Sequence, residues 1–476
     1  MNKGLTRVLL IVAVVAVAPV MAYLAYSRPG YFSSEAYLGG LLLLEALVAA
    51  VWLYRRTFFP LVVVTFLFAG MDLPVGSVWT MARWLVLAVG ALVGASIMLK
   101  ERRYSFGLFH VLAFFCVCAA LMSAAVSRYT VVSSLKVLSL FLLFLYAATG
   151  ARLAVAHREN RFFSGLLLSC EVFVVLIALS YAMGREVMGN PNSLGAVMGV
   201  VAGPILLWGT LLQQEPFSHR RRLFLYVVAM YLTYASHARA GILAALVSCA
   251  VLCLALRKYS MLAQGLAVIV ILAATGAIFQ PEAFSRTVSS VTSTVVFKGK
   301  DRSLGVLGSR TSPWQDTIDA IRAHFWFGTG FGTSDTGHDP TESLGRFASS
   351  SAVTTEHGSS YLEIVAWVGL IGLLPFALLL ILLLGKALRM ALWMHRTAEP
   401  SHPVVPLAIL MIAGLVHAGF EDWLFAPGYY LCLFFWSMAF VFVDQAASLS
   451  ALDARSLFVR RARAMRPHFG AVAASR

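Results

Sequence analysis

Long apolar runs recur along almost the whole chain and restrict its fold more than any other feature. A helix needs about 20 mostly apolar residues to cross about 30 Å of membrane hydrocarbon. With 60% hydrophobic and only 12% charged residues, the chain cannot supply the charged surface that a soluble domain needs. The sequence predicts an all-α, polytopic integral membrane protein with about 12–14 transmembrane helices, the fourteen candidate runs being 7–26, 36–53, 57–72, 79–99, 106–126, 131–150, 162–183, 194–212, 223–237, 241–256, 261–279, 359–384, 404–421 and 427–446.

The distribution of Lys and Arg predicts the orientation, because these residues are retained on the cytoplasmic side. An N-terminus inside the cell places most of them in cytoplasmic loops, whereas the opposite short loops hold only Arg28, Arg128, Arg185 and Arg239. The net charge of +15 is therefore a topology signal and does not indicate nucleic-acid binding.

The chain divides into four predicted parts. Residues 1–279 form the N-terminal transmembrane helices, 280–358 a large periplasmic loop, 359–446 the C-terminal transmembrane helices and 447–476 a basic cytoplasmic tail. The first run lacks a convincing cleavage site, so we expect a retained helix. All six cysteines lie inside predicted spans, and none has the paired spacing of a metal site.

The polar loop contains a predicted amphipathic helix at 312–325. Ser312 suits the N-cap, Pro313 suits the first helical position, and an apolar stripe follows at Trp314, Ile318, Ile321 and Phe325. This stripe would rest on the membrane or on the helix bundle.

A glycine-rich stretch, residues 328–333, must form a turn. Such a turn either holds backbone amides against a phosphate or serves as a plain tight connection. The pattern alone leaves both interpretations open.

An ionisable side chain within a membrane span costs free energy unless it is paired or in contact with water. Glu45, Arg83, Lys136 and Glu171 are in this position. We expect them to pair inside the bundle, the alternative being a pathway for a lipid tail or for protons.

Three arginines and one histidine on the predicted outer face are the main functional candidates. Arg185, Arg239 and Arg310 stand where the topology rule disfavours positive charge, and His357 lies at the mouth of an apolar helix. Each arginine either pairs with an acid such as Glu186, Glu421 or Asp422, or binds a phosphate through the donor fork of its guanidinium. Three arginines together with a histidine favour phosphate.

Several motifs between about 184 and 375 resemble one family. They are Asn190-Pro191-Asn192-Ser193-Leu194-Gly195, Ser236-His237-Ala238-Arg239-Ala240-Gly241, Arg310-x3-Trp314 followed by Gly328-x-Gly330-x-Gly332, and His357-x3-Tyr361-Leu362-Glu363 followed by Gly369-Leu370-Ile371-Gly372. This stretch resembles the O-antigen ligase and O-antigen polymerase family of bacterial envelope glycosyltransferases, which have a GT-C-like, all-α membrane fold. The chain departs from the family pattern at Gly358, where Asn is common, and at Phe325-Trp326, where a Pro commonly precedes the glycines.

The resemblance implies glycan transfer from undecaprenyl pyrophosphate to an acceptor hydroxyl, on the periplasmic side of the bacterial inner membrane. It implies His357 as general base, Arg239 and Arg310 as pyrophosphate ligands and Arg185 as a third. Diphosphate already leaves as a stabilised anion, so no metal or cofactor is expected. Direct displacement is expected to invert the anomeric centre. Supporting roles are expected for the residues around the base, namely Tyr361, Glu421, Asp422 and His417.

The acceptor defines alternatives within this chemistry. A polymerase uses another lipid-linked repeat unit, a ligase uses a lipid A core, and a protein glycosylase uses a hydroxyl side chain. Fourteen spans are more than is usual in ligases, which favours a polymerase for a surface or exported polysaccharide, with a chain-length regulator or export machinery as possible partners.

A transporter of lipid-linked oligosaccharides is a different class that also has many spans and arginines. It should show repeated halves with interrupted helices at matching positions. Pro204 and Pro375 are expected to break the eighth and twelfth spans without symmetric mates, so the enzyme is favoured.

Overall fold

A computed structural model describes most of the chain after residue 57. The described residues are 58–71, 76–101, 106–185, 187–188, 190–212, 216–279, 310–334 and 357–464, with the single positions 282, 285 and 289. Regular structure in this part is helical throughout, with no β-strand, which confirms the predicted fold class. The predicted spans 7–26 and 36–53, with Glu45, lie outside the described residues.

Thirteen helices are formed by the described residues, of which all but α10 correspond to predicted spans. They are α1 (Phe58–Ala69), α2 (Gly76–Glu101), α3 (Leu108–Val126), α4 (Thr130–Val155), α5 (Glu159–Ala182), α6 (Pro191–Leu211), α7 (Pro216–Ala235), α8 (Arg239–Ala255), α9 (Tyr259–Phe279), α10 (Thr311–Ala323), α11 (Ser360–Thr397), α12 (Val404–Ala418) and α13 (Tyr430–Ala464). Eight are long and apolar enough to cross a membrane, while α1, α8 and α12 are shorter apolar helices.

Helix α12 and the first half of α13 form the centre of the bundle. Every residue of α12 except Val416 is buried, and the segment 430–443 of α13 is buried throughout. The outer helices instead expose apolar side chains, such as Leu168 and Leu176 of α5. Apolar surface of this kind suits contact with lipid tails rather than water.

Helix α6 contains a wide π turn, Val197–Ala202, directly before Pro204. Close to this turn α6 crosses α8 at glycines that leave no room for a side chain. A Cβ added to Gly199 would lie 2.2 Å from the carbonyl oxygen of Gly241, and a Cβ added to Gly195 would lie 2.2 Å from the Cβ of Ala238. Small residues allow such backbone contact between membrane helices. The crossing fixes the start of α8, where Arg239 is the first helical residue.

Helix α11 is interrupted at Gly369, whose φ of 64° and ψ of −174° are not helical. The expected break at Pro375 is wrong, because the backbone around that proline is helical and the freed hydrogen-bonding groups lie at the glycine instead. The stretch that follows α10 enters this break. Leu370 N–H donates to the Phe325 carbonyl at 2.9 Å, and Thr329 N–H donates to the Ala366 carbonyl at 2.9 Å. Irregular backbone within a membrane helix is tolerated when another segment satisfies it in this way.

The charges buried between helices have partners of two kinds. Glu171 accepts from Arg221 at 2.8 Å and from Arg222 at 2.7 Å, as the expectation of pairing required. Arg83 donates to the Gly428 carbonyl at 2.7 Å and lies over the Trp84 ring. Lys136 donates to the Gly332 carbonyl. A backbone carbonyl is thus the described partner of Arg83, whereas Lys136 has both a carbonyl and the charge of the nearby Glu363.

Candidate functional site

Helix α10 begins two residues earlier than the sequence pattern predicts. Arg310, not Ser312, occupies the N-cap position, and the Trp314 N–H donates to the Arg310 carbonyl at 3.0 Å. The Ser312 hydroxyl instead lies 3.4 Å from a carboxylate oxygen of Asp316. Pro313 still lies in the first turn, where its missing N–H costs nothing. The early start follows from the buried side chain of Arg310, which fixes the chain there.

One face of α10 carries the contacts that hold His357 and Gly358, the histidine segment. Arg310, Trp314 and Thr317 follow one another at intervals of four and three residues, so their side chains share a face. Trp314 Nε1–H donates to the Gly358 carbonyl at 3.2 Å, and Thr317 Oγ1 lies 3.0 Å from His357 Nδ1.

The expected apolar stripe of α10 is partly confirmed. Trp314, Ile318 and Ile321 are half-buried. Phe325 is 45% exposed, because α10 ends at Ala323 and the chain turns away before this residue.

His357 is buried in the site, with 3% of its surface exposed. Its backbone N–H donates to a carboxylate oxygen of Asp422 at 2.9 Å, and its ring stands edge-on to Trp367 with centroids 6.1 Å apart. The second ring nitrogen, Nε2, is buried and has no hydrogen-bond partner among the described residues. Burial lowers the pKa of the imidazole, and the Asp422 carboxylate partly raises it again.

The connector between α12 and α13, residues 419–429, carries both acids of the site. Ser360 binds this connector to the start of α11. The Ser360 hydroxyl donates to the Glu421 carbonyl at 2.7 Å and accepts from the N–H groups of Trp423 at 2.9 Å and Leu424 at 3.0 Å. These three hydrogen bonds hold Glu421 and Asp422 beside the histidine segment.

Two of the three predicted arginines come together here. Arg310, buried to 7% exposure, forms an ion pair with Glu421. The charges of Arg310 and Glu421 both act on the Arg239 guanidinium, which places Arg239 in the same cluster. Arg185 is exposed at the end of α5, and no described contact joins it to this cluster.

Tyr361 and His417 support neighbouring segments rather than the imidazole. The Tyr361 hydroxyl donates to the Leu415 carbonyl at 2.6 Å. His417 Nδ1 accepts from Trp423 Nε1–H at 2.7 Å. Glu421 pairs with an arginine, as one sequence alternative proposed, and Asp422 binds the backbone of His357. Glu363 is buried at 4% exposure near Lys136 and Asp422.

The glycine turn is a structural connection, which was the plainer of its two interpretations. The amides of Thr329 and Gly330 donate to α11 carbonyls. Two serines donate to the turn's own carbonyls: Ser127, which follows α3, to that of Thr329 at 2.9 Å, and Ser133 of α4 to that of Phe331 at 2.9 Å. The turn therefore anchors the C-terminal end of α10 to the bundle.

Sequence reasoning missed Thr317, Ser360, Ser127 and Ser133. The partners of these residues lie 40 or more positions away, and hydropathy carries no information about such pairs. For Thr317 a signal existed, since it shares the helical spacing of Arg310 and Trp314. Within the described residues, no group of three or more His, Cys, Asp or Glu side chains has the arrangement of a metal site.

Fold and site together define a class: a polytopic, all-α membrane protein in which a loop helix brings arginines, acids and a buried histidine together at one end of the bundle. Residues 223–377 match the family described as O-antigen ligase. This central segment is similar to that family, which supports the resemblance seen in the sequence. A comparison with curated proteins gives no match.

The matched segment is about a third of the chain and includes Arg239, Arg310 and His357. Glu421 and Asp422 lie beyond it. The family implies glycan transfer of the O-antigen ligase or polymerase type, with a lipid-linked glycan and an acceptor as substrates.

Proposed function

We propose that the chain transfers a glycan from undecaprenyl diphosphate to an acceptor hydroxyl, on the periplasmic side of the bacterial inner membrane. The observation that carries the proposal is the buried His357, whose Nε2 has no partner among the described residues, beside the cluster of Arg239, Arg310 and Glu421. A proton acceptor and a cationic clamp are the two devices that this reaction needs.

His357 is the general base in this proposal. Its Nδ1 faces Thr317, which leaves Nε2 to take the proton of the acceptor hydroxyl. The hydroxyl oxygen attacks the anomeric carbon, the bond from that carbon to the diphosphate oxygen breaks, and the lipid diphosphate leaves with the bonding electrons. Direct displacement inverts the anomeric centre. Because burial lowers the pKa of His357, the neutral ring required for this step is present at neutral pH.

Arg239 and Arg310 hold the diphosphate in this proposal. Guanidinium offers paired donors that match phosphate oxygens. Without substrate, Glu421 pairs with Arg310 and keeps the arginine side chain in place. When the donor binds, phosphate oxygens, which carry more charge, replace the Glu421 carboxylate. Clamping by arginines leaves no step that requires a metal ion.

For the acceptor we propose a second lipid-linked repeat unit, which makes the chain a polysaccharide polymerase. The number of predicted spans supports this choice. A second candidate, ligation to a lipid A core, is supported by the description of the matching family as O-antigen ligase. The same base and clamp serve both reactions.

The experiment that tests the proposal uses purified protein in liposomes with a lipid-linked repeat unit. Longer lipid-linked chains made without ATP or an ion gradient are the expected product, and they exclude a transporter. Lipid A core is added in a parallel reaction, where product on the core instead would establish the ligase. His395→Ala is a matched control for His357→Ala, because His395 is exposed at the far end of α11. Glycan that crosses the bilayer but is never joined to an acceptor would refute the proposal.

A further inference from the structure

We propose that Thr317 is a positioning residue that keeps the proton of neutral His357 on Nδ1, so that Nε2 is the basic nitrogen. The catalytic consequence rests on the proposed function, whereas the tautomer itself is a property of the protein without substrate.

The inference follows from the single hydrogen of a hydroxyl group. Thr317 Oγ1 lies 2.6 Å from the Pro313 carbonyl oxygen, and a carbonyl can only accept, so the hydroxyl donates there. The same oxygen lies 3.0 Å from His357 Nδ1. With its hydrogen already committed, Oγ1 can only accept from this nitrogen, which must therefore carry a proton.

Burial makes the assignment strict. Thr317 is 2% exposed and His357 is 3% exposed, so water does not compete readily for either partner. In the opposite arrangement, with the hydroxyl donating to Nδ1, two oxygen lone pairs would face each other at 2.6 Å. An unsatisfied buried polar group costs about 1–3 kcal/mol. The Nδ1–H tautomer is the one that satisfies all three groups.

The second contact separates this threonine from others in helices. Threonine hydroxyls commonly bond the carbonyl four residues earlier, and Thr233 of α7, which is also buried, does so with Ala229 at 2.8 Å. Thr317 makes that bond and also reaches an imidazole 40 positions away. A neutral hydroxyl orients the ring without adding the negative charge that a carboxylate partner would bring.

Charged groups approach the histidine from other elements. Asp422 of the connector binds the backbone N–H of His357, Arg310 of α10 pairs with Glu421 next to it, and Glu363 of α11 lies buried near Asp422. Among the described hydrogen bonds of the ring itself, Thr317 is the partner. The tautomer therefore depends on Thr317 more directly than on these charges.

The first test is spectroscopic and needs no substrate. Protein labelled with 15N-histidine is measured by solid-state NMR, with the His357 signal identified by its loss in His357→Asn. The expected spectrum above the histidine pKa shows the Nδ1–H tautomer in the wild type and in Thr317→Ser. Thr317→Val, which keeps the shape and removes the acceptor, is expected to shift the population toward Nε2–H. An Nε2–H tautomer in the wild type, or an unchanged spectrum in Thr317→Val, would overturn the inference.

The second test is kinetic. Thr317→Val should lower kcat about tenfold or more with little change in KM, and Thr317→Ser should restore most of the rate. Thr233→Val, which removes an otherwise similar hydroxyl, should leave the rate unchanged. Equal losses in the Ser and Val variants would mean that the residue only packs, and would refute the positioning role. Full activity of His357→Ala would instead refute the proposed function, and the NMR result on the tautomer would stand.

Discussion

Arg310→Lys tests the clamp because it keeps the charge and removes the donor fork. The Arg310 side chain is 9% exposed and forms an ion pair with Glu421. It is also closely packed, because a Cβ added to Gly358 would lie 3.1 Å from Arg310 Nη1. An ammonium at this place can contact Glu421 or one phosphate oxygen, but it cannot make paired bonds to a diphosphate. One lost charge-assisted hydrogen bond corresponds to about 1.5–3 kcal/mol. At about 1.4 kcal/mol per tenfold, we expect kcat/KM to fall by about 10- to 150-fold.

The assay is glycan transfer in liposomes at a fixed donor density, together with a thermal unfolding measurement. Arg322→Lys is the matched control on the same helix, since its side chain is 72% exposed and pairs only with a neighbour on α10 in the described contacts. The control should keep its activity and unfold near the wild-type temperature, and the unfolding measurement shows that Arg310→Lys is folded at the assay temperature. Wild-type kcat/KM in Arg310→Lys, with Arg239→Lys also unaffected, would show that these arginines are structural and that the clamp lies elsewhere.

Three further predictions concern pH, metal and orientation. Because burial lowers the pKa of His357 from its ordinary value of 6.5, the rate should be flat at neutral pH and fall in acid below pH 6.5. The unfolded chain binds this proton more readily, so the free energy of unfolding should also decrease as pH falls through 6.5. A rate that falls as pH rises through neutrality would contradict this. Turnover should survive EDTA, and inactivation by EDTA that magnesium reverses would refute the arginine clamp. A cysteine at Asp319, which is exposed on α10, should react with a membrane-impermeant reagent in intact spheroplasts, whereas reaction only from the cytoplasmic side would invert the topology.

Hydropathy predicted the helices well because crossing a bilayer demands long apolar segments whatever their packing. It did not predict the π turn in α6 or the interruption of α11 at Gly369. The interruption depends on backbone groups that a distant segment satisfies. Pro375 was the natural candidate for a break, yet Gly369 takes that role because the stretch after α10 supplies partners there.

Candidate site residues could be named from the sequence where the residue type is unusual for its predicted position. His357, Arg239 and Arg310 are unusual on the predicted outer face, and the structure gathers them. Arg185 has the same sequence signature but remains exposed at the end of α5. Thr317 is an ordinary residue type, and only its three-dimensional contact with the imidazole gives it a role. Sequence therefore indicated the candidate residues, while the contact between Thr317 and His357 required the fold.

The central claim is that His357 is the base, and single-turnover transfer by His357→Asn tests it most directly. Asparagine keeps a similar size and the backbone N–H that binds Asp422, but it cannot accept a proton near neutral pH. The donor is a fluorescent lipid-linked repeat unit, its binding is measured separately, and helix content is measured by circular dichroism. We predict normal folding and donor binding with loss of transfer by about 10²-fold or more. Transfer at near the wild-type rate would contradict the account.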